Sequence, residues 1–313
     1  MKIYKHPNPI LAKKWYNFLA IKYWPMWLAL GLLRLSTYLP YRGMLGLGKI
    51  LGYLFMWILP KKRRITATNL RLCFPHLSET ARDKLLHESF TSAGIGLLET
   101  ALAWWASDKR LRKQAHIEGT EFLAAAIAQN NGVMLMTAHF TSIELGIRLL
   151  SFAGPVCVMY RPQNNQLFEW VLQRARRHYV VEGITRYDAA GMLRCLRAGH
   201  AICYTPDQDY GRISSVFAPF FGVQAASVTG TSRFLKRTKS PLLPGFYYRD
   251  SKTQTYYLQI YPALNDFPSD DEVADATRIN QLIEQAIMKH PEQYMWQHRR
   301  FKTRPIGEPY PYE

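Results

Sequence analysis

The apolar and polar positions along the chain divide it into three regimes. Over residues 24–39 and 43–59 the pattern is almost wholly apolar, with one basic residue in each run, Arg34 and Lys49. Over 76–105 the apolar positions Leu85, Leu86, Phe90, Ile95, Leu97 and Leu98 recur at close to helical spacing, and Ser78 stands where an N-cap is wanted. Beyond Gly119, short apolar runs alternate with amphipathic segments. The runs 133–137, 156–160, 201–205, 242–248 and 256–261 read as strands. The segments 121–129, 143–152, 166–177, 189–198, 227–239 and 271–290 read as helices. Strands alternating with helices in this way predict βαβ units: an α/β fold whose mainly parallel sheet is flanked by helices. In such sheets the ligand site lies beyond the carboxyl ends of the strands.

The two apolar runs near the N-terminus are each shorter than the roughly 20 residues of a bilayer span. Tryptophans sit at their ends, Lys13, Lys14 and Lys22 precede them, and KKRR follows at 61–64. That arrangement suits a membrane interface. It predicts an N-terminal helical membrane anchor over 1–64, either one tilted span or a helical hairpin in the interface, followed by an α/β domain over 65–313. The competing reading is a buried core hairpin. The positive-inside rule would put 61–64, and the body after it, on the cytoplasmic side. GMLGLGK at 43–49 matches the spacing of a phosphate-binding loop, but Ile50 follows where a Ser or Thr is needed. Its glycines read instead as sites of close helix packing.

A chain of 313 residues suffices for one large α/β domain and an appendage. Lys plus Arg outnumber Asp plus Glu by 40 to 23, which favours an anionic partner: nucleic acid, an anionic membrane, or an acidic substrate or protein. The four cysteines, Cys73, Cys157, Cys195 and Cys203, form no C-x-x-C pair and read as reduced thiols. There is no zinc-like Cys/His cluster, so neither metal nor cofactor is predicted.

Three polar clusters follow three predicted strands. HFTSIE (139–144) follows the first, YRPQNN (160–165) the second, and TPDQDYG (205–211) the third. Their convergence on one sheet edge is the strongest residue-level sign of a site. Five positions along a helix turn through about 500°, so His139 and Glu144 meet only if His139 lies on a turn and Glu144 in the first helical turn. Then the carboxylate would orient the imidazole and stabilise the imidazolium formed when it takes a proton from an attacking hydroxyl. The rival reading makes 141–144 a capping box, with Glu144 on a backbone amide. No G-x-S-x-G elbow is present, which fits direct transfer without an acyl-enzyme. Arg161 suits a phosphate or a developing oxyanion, and Arg174, Arg176 and Arg177 form a cationic set on the next predicted helix. Tyr160, Asn165, Asp207 and Asp209 complete the strand-end clusters. In EQYMWQHRRFKTRP (292–305), aromatic residues interleave with cations that include Arg299. That segment suits an anionic headgroup or nucleic acid.

These motifs, with NLRLCFP (69–75) and SVFAPFFG (215–222), occur in one order over nearly the whole chain. Together they resemble the lipid A secondary acyltransferases, the late lauroyl/myristoyl transferases of lipopolysaccharide biosynthesis. The resemblance implies a glycerolipid-acyltransferase-like fold and an inner-membrane enzyme facing the cytoplasm. It implies transfer of an acyl chain from acyl carrier protein to a hydroxyl on an acyl chain of a Kdo-bearing lipid A precursor. His139 and Glu144 match the family's His and acidic residue, Tyr160–Pro162 its Tyr-Arg-Pro element, and Asp207 and Asp209 its aspartate pair. Gln208 stands where many members carry His. An acidic carrier protein, a phosphorylated acceptor and an anionic membrane each account for the basic surface. The nearer alternative is the same chemistry on another phospholipid or glycolipid acceptor. A membrane-tethered nucleic-acid binder leaves the strand-end clusters unexplained, so no nucleic-acid partner is expected.

Overall fold

The computed structural model describes residues 9–312. The first eight residues of the predicted anchor lie outside the described residues. The chain opens with helices α1 (Pro9–Ala12), α2 (Trp24–Ser36), α3 (Tyr41–Ile58), α4 (Pro60–Cys73), α5 (Glu79–Trp105) and α6 (Asp108–Lys113). Then come β1 (Ala115–Glu118), α7 (Thr120–Ala128), β2 (Val133–Met136), α8 (Ile143–Ala153), β3 (Val156–Tyr160), α9 (Gln166–Arg176), β4 (Gly183–Thr185), α10 (Ala189–Arg197) and β5 (Ala201–Tyr204). The last part holds β6 (Ser215–Phe220), β7 (Val223–Val228), α11 (Gly230–Thr238), β8 (Leu242–Asp250), β9 (Thr255–Ile260) and α12 (Glu272–Lys289).

The main sheet has seven strands in the order β1-β9-β8-β2-β5-β3-β4. Every pairing is parallel except β8 with β9. This is the predicted mainly parallel α/β arrangement. β2 and β5 are buried at every position, as strands covered on both faces must be. The sheet order makes β2, β5 and β3 consecutive, so the three polar strand ends do emerge along one edge.

The five predicted strands and all six predicted helices of the body appear within a few residues of their expected bounds. Ser78 caps α5, accepting from the amide of Ala81 at 3.2 Å. The differences have physical reasons. β1 and β4 are four and three residues long, too short for a period to show. The β6/β7 hairpin escaped because Pro219 interrupts its apolar run. Proline is tolerated there since both strands of a two-stranded sheet are edges. β7 also takes Ser227 and Val228 from the predicted helix 227–239, so α11 begins at Gly230.

The N-terminal helices pack against the body. A Cβ on Gly94 of α5 would lie 2.1 Å from the carbonyl oxygen of Gly48 in α3, so only glycine permits this approach. Among the described residues no single helix is long and apolar enough to cross a membrane. α3 and α4 reach that length and composition only together, and they are bent by 97° at their break. Pro60 and KKRR open that second helix in another direction. The outward faces of α2 and α3 still expose large apolar side chains, among them Leu28, Leu32, Leu35, Ile50, Tyr53 and Trp57.

Candidate active site

β2 and β5 pair in parallel with Met136 opposite Tyr204. His139 and Asp207 each lie three residues beyond that pair, so two loops leaving in step bring them together. Asp207 Oδ1 lies 2.6 Å from His139 Nδ1, and Oδ2 accepts the backbone N–H of His139 at 2.9 Å. The phenol of Tyr294 also donates to Oδ2, at 3.0 Å. Burial pushes the Asp207 carboxyl up, but the charge His139 carries when protonated and the hydrogen bonds from its ring, its amide and Tyr294 outweigh it and bring it down to about 2. An ionised carboxylate only accepts, so Nδ1 carries the proton and Nε2 presents its lone pair. Thr205 Oγ1 sits 3.4 Å from Nε2. The imidazole is half-buried while Asp207 is fully buried. This is an oriented base with one open nitrogen.

Glu144 is not the partner of His139. α8 starts at Ile143, so the Glu144 side chain leaves the first turn toward α5 and α9. Its carboxylate takes Arg176 through Nε at 3.2 Å and through Nη2, the indole N–H of Trp104 at 3.1 Å, and the Tyr179 hydroxyl at 3.5 Å. The capping-box reading falls with the dyad reading, because no side chain caps α8. Thr141 Oγ1 instead lies 3.0 Å from Ser92 Oγ. A Cβ on Gly96 would lie 2.2 Å from the Thr141 carbonyl oxygen, so α5 backs directly onto this loop.

The other predicted site residues separate into three groups. Arg161, Arg174 and Arg299 are exposed, with Arg174 over the Trp170 ring at 5.2 Å from its centroid. They remain available to an anion. Arg176 is not: it is buried on Glu144, and its Nη1 is buried as well. Tyr160, Asn165 and Asp209 hold the framework. The Tyr160 hydroxyl donates to Glu169 Oε1 at 3.0 Å. Asn165 Oδ1 caps α9, accepting from Leu167 and Phe168 at 3.0 Å each. Asp209 takes the amide and hydroxyl of Thr303, at 2.7 and 2.9 Å, and the amide of Gly211 at 2.9 Å. These bonds commit the Tyr160 hydroxyl, the Asn165 carbonyl oxygen and the Asp209 carboxylate to the fold.

The segment after α12 supplies what the sequence reading missed. Residues 293–295 run antiparallel to 139–141: the Thr141 amide donates to Gln293 at 2.8 Å and the Met295 amide to His139 at 2.9 Å. Asn69 of the NLRLCFP motif fixes the same segment, its Nδ2 donating to the carbonyls of Trp296 and His298 at 2.7 Å each. His298 thereby enters the site, its Nε2 accepting the amide of Asp209 at 3.3 Å. Burial first, with the positive charges of Arg300 and Lys302, pushes its pKa down to about 4 despite Asp207. It is a neutral ring at neutral pH. Tyr294 and His298 both lie in the C-terminal motif, 292–305.

One consequence concerns acid. The unfolded chain takes up a proton on this imidazole near 6.5 and the folded chain only near 4. Between those values the unfolded state binds more protons, so stability is complete above 6.5 and falls as the pH drops toward 4. Thermal melts across that window should show the fall, with a smaller slope in His298→Gln. An unchanged slope would remove His298 as its source.

Comparison with known proteins follows the same lines. A family model described as bacterial lipid A biosynthesis acyltransferase matches residues 11–303. The lipid A biosynthesis palmitoleoyltransferase of Escherichia coli (strain K12) is 41% identical over 293 residues, covering 93% of this chain and 95% of that protein. The lauroyltransferase of the same organism is 39% identical, covering 92% and 94%. Its myristoyltransferase is 28% identical, covering 80% and 78%. With a matched region that spans both the N-terminal helices and the His139 cluster, the chain belongs to the bacterial lipid A biosynthesis acyltransferases.

Proposed function

We propose that this acyltransferase moves a fatty acyl chain from the thioester of acyl carrier protein to the hydroxyl of a hydroxyacyl chain on a Kdo-bearing lipid A precursor. The observation that carries the mechanism is the open Nε2 of His139, aimed by the Asp207 carboxylate behind it. The acceptor hydroxyl gives its proton to Nε2 as it attacks the thioester carbonyl, the C–S bond breaks to release the carrier's thiolate, and the thiolate takes the proton from the imidazolium. Asp207 stabilises the imidazolium, as a carboxylate behind an imidazole does in hydrolases. A thiol leaving group with an ordinary pKa of about 8.5 needs little assistance, so one base serves. Asp207 thus takes the part expected of Glu144, and Glu144 instead binds Arg176 and Trp104. Arg161, Arg174 and Arg299, as exposed cations, would be the groups to meet phosphate.

A second reading is favoured by one distance, the 3.4 Å between Thr205 Oγ1 and Nε2. Thr205 would attack the thioester first and pass the acyl group on. Thr205→Val keeps the shape and removes the hydroxyl. Direct transfer survives it and an acyl-enzyme route does not.

The apolar outward faces of α2 and α3, followed by the exposed Lys61–Arg64 run, fit an enzyme lying in the cytoplasmic interface of the inner membrane. Mass spectrometry of lipid A from cells with and without the protein tests the whole assignment. A difference of one acyl chain is expected. Unchanged lipid A, with a mass change in another glycolipid or phospholipid, would move the acceptor elsewhere.

A further inference from the structure

Of the chain's eight tryptophans, Trp27, Trp104, Trp105 and Trp170 line one open groove of about 430 Å³. That volume lies in the ordinary range of ligand pockets. α2 and α9 form its sides and the end of α5 its floor. Three of the four indole N–H groups are satisfied by atoms outside the lining. Trp27 donates to the Phe18 carbonyl at 2.9 Å, Trp170 to that of Lys13 at 2.9 Å, and Trp104 to Glu144 at 3.1 Å. Those side chains therefore offer the groove aromatic hydrocarbon rather than donors.

The charged lining has one sign. Arg34 and Arg174 border the groove and no carboxylate does. Among the described residues neither Arg34 nor Arg174 has a carboxylate partner. An apolar trough with a cationic rim is complementary to a hydrocarbon chain that carries an anionic head. The adjoining face of α2 exposes Leu28, Leu32 and Leu35, at 66%, 60% and 63%, so the groove would open beside a lipid surface.

We propose that the groove between α2 and α9 binds one hydrocarbon chain of a phosphorylated lipid, with the phosphate held by Arg34 and Arg174. The inference rests on the lipid-acting reading above for the lipid's origin, but not for the binding itself. None of His139, Thr205, Asp207 and Tyr294 lines the groove. Trp104, at the floor, donates to the Glu144 carboxylate that holds Arg176. Occupancy would bear on that ion pair.

Gly31 supplies the test, because a Cβ there meets no atom within 4 Å. Gly31→Phe therefore adds a ring to the groove lining from a Cβ position that is itself unobstructed. The full chain is titrated with dodecyl phosphate, and with dodecyl maltoside as the uncharged control of equal chain length, while tryptophan fluorescence is followed. Dodecyl phosphate is expected to give a saturable change and to bind more tightly than the maltoside. Its Kd should rise at least about tenfold in Gly31→Phe, and about tenfold in the exposed double variant Arg34→Glu/Arg174→Glu. Parent-like Kd values in both variants would overturn the proposal, and so would equal affinity for the two amphiphiles. Competition then identifies the source. Displacement by phosphatidylglycerol vesicles assigns a leaflet lipid, displacement by the phosphorylated lipid A precursor alone assigns the acceptor, and displacement by neither overturns the site. Binding is read without turnover, so unchanged lipid A in cells would count against the transfer reaction and leave the groove standing.

Discussion

Asp207→Asn should lower acyl transfer by on the order of 10³–10⁴ while leaving the protein folded. The amide keeps the shape but can donate, so it permits the tautomer with the proton on Nε2 and removes the charge that stabilises the imidazolium. His139→Ala removes the base itself and should cost a comparable factor. Because the two side chains act as one unit, joined at 2.6 Å, the double variant should be little worse than either single one. Initial rates with an acyl-carrier-protein thioester and a purified acceptor measure all three. Full activity in a folded Asp207→Asn protein would sink the assignment, and multiplicative losses in the double variant would separate the two roles. The low pKa of Asp207, about 2, keeps its charge in place throughout the working range, so the orientation of His139 does not depend on pH near neutrality.

The second large effect is on stability. Glu144→Ala strands the Arg176 guanidinium, a buried cation whose pKa stays high in the native pair because the Glu144 charge outweighs the burial that would lower it. Removing one partner of a buried ion pair costs about 3–5 kcal/mol. Loss of the hydrogen bonds from Trp104 and Tyr179 adds to it. Urea unfolding should therefore show a large fall for Glu144→Ala, a smaller one for Glu144→Gln, and substantial recovery for Glu144→Leu/Arg176→Met, which removes both charges. A Glu144→Ala protein as stable as the parent would contradict the geometry. If instead Glu144→Gln, fully folded, lost as much transfer as Asp207→Asn, the chemistry would have to be carried by Glu144 as well.

These two outcomes differ because the same motif feeds two constellations. His139 lies on the loop beyond β2, and its neighbour is set by which strand lies beside β2. Glu144 lies one residue into α8, and its neighbours are set by the helices packed on the sheet's face. The five-residue separation hides that divergence. The C-terminal segment shows a similar limit. Its aromatic and cationic residues were legible as a functional stretch, and Arg299 is exposed as a ligand-binding cation would be. Arg300 beside it is buried, donating to Ala226 at 2.7 Å and Ser227 at 3.0 Å. Adjacent residues on an irregular segment face opposite ways, and no period predicts which one turns inward.

What the sequence by itself determined is local or ordered along the chain. The apolar periods placed the strands of the site and the helices that follow them, and Ser78 marked the start of α5. The ordered motifs named the family. Polar clusters after three apolar runs located the site at a strand-end edge, because parallel strands joined by crossover helices must all end on the same side. What only the tertiary structure decided is partnership across distance. Asp207 rather than Glu144 meets His139, Asn69 and Asp209 pin the returning C-terminus, and four tryptophans from three helices line one groove. Each depends on strand order and helix packing, which the whole chain's burial fixes and no single stretch encodes.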